Sequence, residues 1–441
     1  MKHAYLLYTG FGKTKMCLDK MMKASRKPRT LLISTKKVVE SSWSSEITKW
    51  YPGKISYAYI TGSVKEKDRQ VLTNNQSQYD IFAMNTSMVD WYIKNTCSVK
   101  RKSYTKKGIK LHYASEEILD RFDLIIIDES SLFKNSQSQR FKDLKKWVYQ
   151  ANNVMILSAT PTPKNIENIW SQIYLLDGGQ RLGSSITKFR EQWGIPVPLP
   201  NGHNKWQYSK AAINDILSLI QDITTSIPAP DKPLFPPPNL KKIMIKPDPT
   251  TEGILKQFKN DFIIDVQGKE IIAMTKNQLM IKVSQIASGS VYYKDQTLQL
   301  NDLKLRAIMH KISTIKTPVL IWYTYKFDKA KLLAIPGMRL LETPQDMLDW
   351  NANKIPLATM SPFSSAHGLN LQDSDCVNTY WFSPIWDTEI WIQANASVCR
   401  RGKKNTVNIG VLLVRGSYDE YMFNLCQDKF REQLNILGKL S

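Results

Sequence analysis

The chain alternates short, wholly apolar runs with longer amphipathic stretches. "AYLLY" (4–8), "RTLLIST" (29–35), "YDIFAMN" (79–85), "FDLIIIDES" (122–130) and "NVMILSAT" (153–160) each read as a strand buried on both faces and ending in small or polar residues. Unbroken apolar runs mark parallel strands covered by helices on both sides. A second series begins near residue 302, with "TPVLIWYTY", "IPLATMSPF", "CVNTYWFS" and "VNIGVLLV" as its strands. Between the two series the pattern changes. After an irregular segment, "AAINDILSLIQDI" has helical spacing. Eight prolines then fall between Ser226 and Thr250, and a further helical stretch covers about 251–288. Neither a continuous helix nor a central strand accommodates so many prolines, so this stretch predicts an extended connector. The expected fold is α/β: two parallel-sheet lobes, 1–178 and 301–441, with a mainly helical and proline-rich inserted region, 179–300.

Parallel sheets bind ligands at the carboxyl ends of their strands. Three polar groups fall there. In "GFGKT", Gly10 and Gly12 let backbone N–H groups wrap a phosphate chain, Lys13 reaches the terminal phosphates, and the Thr14 hydroxyl suits Mg²⁺. The usual G-x-x-x-x-G-K-[ST] loop would place its first Gly at Leu7, which this chain lacks. "LIIIDES" ends a strand in Asp128 and Glu129. The first suits a Mg²⁺ ligand, the second the positioning and polarising of an attacking water. "LSATPTP" puts Ser158 and Thr160 where they sense a terminal phosphate and pass its state on. Each motif alone has a plainer reading: a Gly turn, an acidic strand end, a Ser/Thr turn before proline. Together they point to a nucleotide hydrolase site with Mg²⁺.

Charge adds a partner. Lys and Arg number 61 against 39 Asp and Glu, a formal +22, which argues for a polyanion, and nucleic acid is the commonest. Basic clusters at 23–29, 99–110 and 400–404 suit backbone phosphates, with a solvated basic surface as the plainer alternative. The five cysteines are scattered and form no C-x-x-C pair, which speaks against a disulfide framework or a zinc site. No apolar run reaches membrane-spanning length and no signal-peptide pattern opens the chain, so a soluble cytoplasmic protein without a membrane partner is expected. Trp43, Trp91, Trp322, Trp381, Trp386 and Trp391 have apolar neighbours and read as core rather than base-stacking platforms.

GKT, DE-S-S and SAT in this order resemble the superfamily-two helicases, and the surrounding residues narrow the likeness to the Swi/Snf branch. "TLLISTKKVVESSWSSEITKWYP" is similar to that family's segment after the phosphate loop. "LSATPTPKNIENIWSQIYLLDGG" with "FREQW" resembles its Thr-Pro turn and leucine-rich helix. "HGLNL" (367–371) and the segment from Gln393 to Gly402 resemble motifs V and VI. The resemblance covers nearly the whole chain, most weakly between about 179 and 300. It implies ATP as the nucleotide, two RecA-like lobes, and DNA-phosphate contacts from Ser34, Thr35, Lys36, Asn85, Thr86 and Asn370. Gly368 would lie at the nucleotide. Gln393 and Arg400 would be catalytic, Arg400 as the arginine finger. Two departures stand out. Motif VI has Ser397 where relatives carry its first Arg, which predicts weakened hydrolysis that Ser397→Arg would raise. Only nine residues precede Gly10, so the Gln segment that reads adenine is expected to be lacking, and base preference with it.

The resemblance implies a nucleic-acid-stimulated ATPase moving on DNA, similar to compact bacteriophage-encoded helicases. Duplex, forked or branched DNA is the expected partner and RNA an alternative. Fork remodelling or branch migration is the expected work, alongside other replication or recombination proteins in a host cytoplasm. Two other classes compete: a DNA-binding protein with a degraded ATPase, and an ATPase that remodels proteins. DNA-stimulated turnover would single out the first reading, and salt-sensitive DNA binding without it would favour the degraded ATPase.

Overall fold

The computed structural model describes the chain except residues 8–10, 106–107, 163–164, 200–201, 228–236, 366–369, 400–402, 404 and 441. The chain forms two compact units. The first comprises Met1–Ala229 together with Glu432–Ser441, the second Pro230–Arg431.

The first unit is built on seven strands: β1 (Lys2–Leu7), β2 (Thr30–Ser34), β3 (Tyr57–Ile60), β4 (Ile81–Asn85), β5 (Leu124–Asp128), β6 (Val154–Ser158) and β7 (Thr224–Ile227). Their order is β7-β1-β6-β5-β2-β4-β3, and every neighbouring pair is parallel. The central strands have no polar face because both faces are covered. Ala4 and Leu6 enter one apolar cluster and Tyr5 and Leu7 the other; Leu31 and Ile33 part from Leu32 in the same way. Each fully buried aliphatic side chain of this kind contributes roughly 1.5–3 kcal/mol over its exposed state.

The second unit has a six-stranded sheet: β8 (Asn239–Ile245), β9 (Val319–Trp322), β10 (Arg339–Leu340), β11 (Leu357–Met360), β12 (Asn378–Trp381) and β13 (Asn408–Val414). Its order is β8-β13-β12-β9-β11-β10, again wholly parallel. Leu320 and Trp322 enter one cluster, Val319 and Ile321 the other. The helices that matter below are α1 (Lys13–Lys23), α2 (Trp43–Trp50), α3 (Pro249–Asp261), α4 (Leu303–Ile312), α5 (Thr388–Val398) and α6 (Asp419–Lys439).

The expected α/β class and both strand series are present. The middle of the chain is organised differently from a separate inserted region. Residues 179–229 group with the first unit and 230–300 with the second. The proline-rich stretch is flanked by strands, β7 and β8, and each lies at the edge of its sheet, where a chain short of N–H donors is tolerated. The helical stretch predicted over 251–288 is two helices, Pro249–Asp261 and Lys276–Ala287. A hairpin, Ile263–Val266 with Lys269–Ile272, separates them. The basic stretch 99–110 falls in another hairpin, Val99–Thr105 paired with Gly108–Tyr113.

Candidate nucleotide site

Helix α1 opens directly from the phosphate-loop segment. Gly12 is its N-cap with φ 72°, a left-handed conformation that penalises any side chain. A Cβ there would meet only Lys15 Cβ at 4.0 Å, so the backbone angle rather than crowding calls for glycine. Lys13 and Thr14 begin the helix and are half-buried, so the N–H groups of its first turn and the Lys13 charge share one end. Gly10 lies outside the described residues.

Asp128 ends β5 and is buried. Its carboxylate accepts hydrogen bonds from Trp43 Nε1 (2.9 Å, to Oδ2) and the Glu129 backbone N–H (2.9 Å, to Oδ1), and its carbonyl accepts one from Ser34 Oγ (3.0 Å). Burial pushes the Asp128 carboxyl up, while the nearby Lys13 charge and those two N–H donors hold it down. Glu129 follows in the left-handed region, φ 56°, ψ 56°. A non-glycine residue there carries roughly 1–3 kcal/mol of strain and is enriched at functional sites.

Beside β5, β6 ends in Ser158, which with Thr160 is fully buried; the Thr160 N–H donates to Ser158 Oγ at 3.0 Å. Gln172 ties the two strand ends together. It accepts from Ser130 Oγ (2.7 Å) and donates to the carbonyls of Pro161 (2.6 Å) and Asn168 (2.8 Å). From α6, Gln433 donates to the Ala159 carbonyl at 2.7 Å. The residue patterns did not single out Gln172, Gln433 or the Asp128 contact of Trp43.

Among the described residues no cluster of three or more His, Cys, Asp or Glu is placed to hold a metal. A single buried carboxylate at a strand end, within the influence of the Lys13 charge at the helix start that also carries Thr14, instead suits Mg²⁺, which keeps much of its shell as water and phosphate oxygen. Asp128 and Thr14 therefore fit a Mg²⁺ that arrives with a nucleotide.

The expected DNA-contact residues divide. Thr35 and Asn85 are buried at the carboxyl ends of β2 and β4, with Thr86 half-buried and Lys36 exposed beside them. Thr35 Oγ1 has no hydrogen-bond partner, whereas Asn85 Nδ2 donates to Ser87 Oγ at 2.8 Å. Ser34 is fully buried and spends its hydroxyl on Asp128, which makes it a strut of the sheet rather than a surface contact. The basic clusters are also partly engaged. Arg26 and Arg29 pair with Asp123 (3.1 and 3.4 Å), and Lys27 with Asp80 (3.5 Å). Lys403 is buried, with its ammonium donating to the Gln372 and Ser374 carbonyls. Of the tryptophans, Trp43, Trp322, Trp381 and Trp391 are buried as expected. All five cysteines are free and buried.

In the second unit, Asn370 is exposed and Gln393 half-buried on α5; Gly368 and Arg400 lie outside the described residues. Ser397 is 3% exposed. Its hydroxyl donates to the Ala394 carbonyl (2.7 Å), and its own carbonyl accepts the Leu371 N–H (2.9 Å), so it joins the segment after 366–369 to α5. That burial argues against the expected benefit of arginine at this position. A guanidinium is far larger than this buried hydroxyl and must displace packed neighbours. Ser397→Arg is expected to lose about 3 kcal/mol or more in urea unfolding and to gain no ATPase rate. A stable, faster variant would restore the first reading.

A family model, the SNF2-related domain, matches residues 8–311. Protein p41 of Acyrthosiphon pisum secondary endosymbiont phage 1 is 27% identical over 403 residues, covering 87% of this chain and 82% of that protein. A SWI/SNF-related matrix-associated actin-dependent regulator of chromatin subfamily A-like protein 1 from Xenopus tropicalis is 22% identical, and the transcription regulatory protein SNF2 of Saccharomyces cerevisiae 21%. Each match covers 98% of this chain but only 42% and 26% of those longer proteins. With well over half its length matched by the domain model, the chain belongs to the SNF2-related family, whose members are DNA-dependent ATPases, and it is an ATP hydrolase.

Proposed function

We propose that this chain is a DNA translocase in which ATP hydrolysis, stimulated by nucleic acid, drives movement on double-stranded or branched DNA. Fork remodelling or branch migration would be its work. The observation that carries the reading is the shared edge of the first sheet. Lys13, Asp128 and Glu129 stand at one set of strand ends, and Gln172 links the Glu129 segment to the segment after Ser158. A nucleotide's state at the first group thereby has a hydrogen-bonded route to the second. The +22 charge and the chromatin and phage relatives favour DNA as the polymer moved.

In this reading Gly12 and the first turn of α1 bind the phosphate chain, Lys13 neutralises its terminal groups, and Asp128 with Thr14 holds Mg²⁺. The bound metal would withdraw charge from the β- and γ-phosphates. Glu129 orients a water and accepts its proton. Arg400 is the candidate for the arginine that stabilises charge on the transferred phosphoryl group, and Gln393 its neighbour in the catalytic set. Thr35, Lys36, Asn85, Thr86 and Asn370 are the proposed phosphate-backbone contacts. Among the described residues no helix is long and apolar enough to cross a membrane. The proposed setting is the cytoplasm of a host cell, with replication or recombination proteins as companions.

The test is the ATPase rate in the presence of single-stranded, duplex, forked and four-way-junction DNA and of RNA. Stimulation should be strongest with duplex or branched DNA. An ATPase indifferent to every polymer would overturn the reading.

A further inference from the structure

At the carboxyl edge of the second sheet lies a cleft of about 350 Å³ between β8, β13 and α3. Lys246, Lys256, Lys259 and Arg415 line it, with Glu252 the single carboxylate among them. Local structure explains the convergence. Ile245 pairs with Val414 in the parallel register, and the Arg415 N–H donates to the Ile245 carbonyl at 2.9 Å. Lys246 and Arg415 are therefore the next residues out from two adjacent strand ends. Asp248 then caps α3 by accepting from the Thr251 N–H (2.8 Å), with Pro249 at the first helical position. The capped helix starts at once, and Lys256 and Lys259, three residues apart, share a face. Leu255, 2% exposed, anchors that turn in the core. Gly416, φ 76°, turns the chain away, and a Cβ there would meet nothing within 4 Å, so the mouth stays open.

Like charges at adjacent strand ends cost stability. Among the described residues none of these four cations forms an ion pair, although elsewhere in the chain Arg26, Lys27, Arg181, Arg190 and Lys242 all do. The carboxyl edge of a parallel sheet is also where ligands bind.

We propose that this cleft holds a phosphate of a nucleic-acid backbone. It is a contact additional to those at the ends of β2 and β4, and it rests on the reading of the chain as a DNA-dependent ATPase. Four cations against one carboxylate complement a phosphodiester and carry no information about base sequence, as a moving enzyme requires.

The experiment compares the full chain with two paired variants, Lys256→Ala with Arg415→Ala and Lys246→Ala with Lys259→Ala. Binding to labelled duplex DNA is followed by anisotropy across a salt series, and ATP affinity is measured in parallel. Both pairs involve side chains at the surface of the cleft, and matching thermal melts verify folding. Each variant should bind about tenfold more weakly at physiological salt. The slope of log affinity against log salt should fall by about 1, since a lost phosphate contact removes about 0.9. ATP affinity and the rate without DNA should be unchanged. A parental slope in both variants, when the parent binds DNA steeply, would overturn this site alone. A parent without salt-dependent DNA binding would overturn the functional reading with it. Loss of ATP affinity with DNA binding intact would reassign the cleft to nucleotide and overturn the proposal.

Discussion

Glu129→Gln is expected to lower ATP hydrolysis at least about 100-fold while nucleotide affinity stays within a few-fold of the parent. The amide keeps the size of the carboxylate but cannot accept a proton from water, and positioned general bases contribute about 10²–10⁴ in rate. The backbone supports this assignment independently of the side-chain chemistry. Glu129 sits at φ 56°, where glycine would be at ease, so the fold bears strain to put a carboxylate immediately after β5. Glu129→Gly should accordingly lose hydrolysis to the same degree without losing stability, because relief of the strained angle offsets the lost side chain. Phosphate release and binding of a fluorescent nucleotide, measured side by side, check both variants. Hydrolysis by Glu129→Gln at the parental rate would remove Glu129 from the mechanism and leave its strain without a catalytic account.

That site was largely legible in the residues because its skeleton is local. Gly12, Lys13 and Thr14 are consecutive, as are Asp128 and Glu129, and a buried parallel strand followed by a sharp change of polarity marks where each must stand. What supports the site was not legible. Trp43 reaches Asp128 across 85 residues, Gln172 reaches Ser130 across 42, and Gln433 reaches Ala159 across 274. No local pattern separates a glutamine that clamps two strand ends from one on a wet surface. Edge strands were missed for a related reason. The central run "LIIID" is buried throughout, whereas "NLKKIMI" is exposed or half-exposed along its whole length and reads as polar chain. Charge was legible as a total but not as a use. Arg26 and Arg29 serve Asp123, and Lys403 serves two carbonyls, while the cations at 246, 256, 259 and 415, without an ion pair among the described residues, are brought together by two strand ends and a helix far apart in the chain.

Asp419→Ala is expected to destabilise the second unit by about 3–5 kcal/mol. Lys304 Nζ on α4 lies 2.8 Å from Asp419 Oδ2 at the start of α6, and both side chains are fully buried. The same carboxylate oxygen accepts the Val414 N–H at 3.1 Å, so Asp419 joins the end of β13 to the helix that follows. The pair is not ideal. Asp419 Oδ1 is buried without a hydrogen-bond partner, and the ammonium N–H groups are poorly aimed. The attraction therefore only partly offsets the cost of taking both charges out of water. Truncating Asp419 leaves the Lys304 ammonium buried without its ion-pair partner, offset only by the Asp328 carboxylate whose titration its charge also influences, which is worse than losing both charges. Replacing the pair together, Lys304→Met with Asp419→Asn, should cost less than Asp419→Ala alone, since the amide still accepts from Val414 and the thioether fills the space of the lysine stem. Lys304→Met, Asp419→Asn and the pair then form a double-mutant cycle read by urea unfolding. Simple addition of the two single losses would show that the charges act independently, and that what holds α4, β13 and α6 together is packing rather than the buried pair.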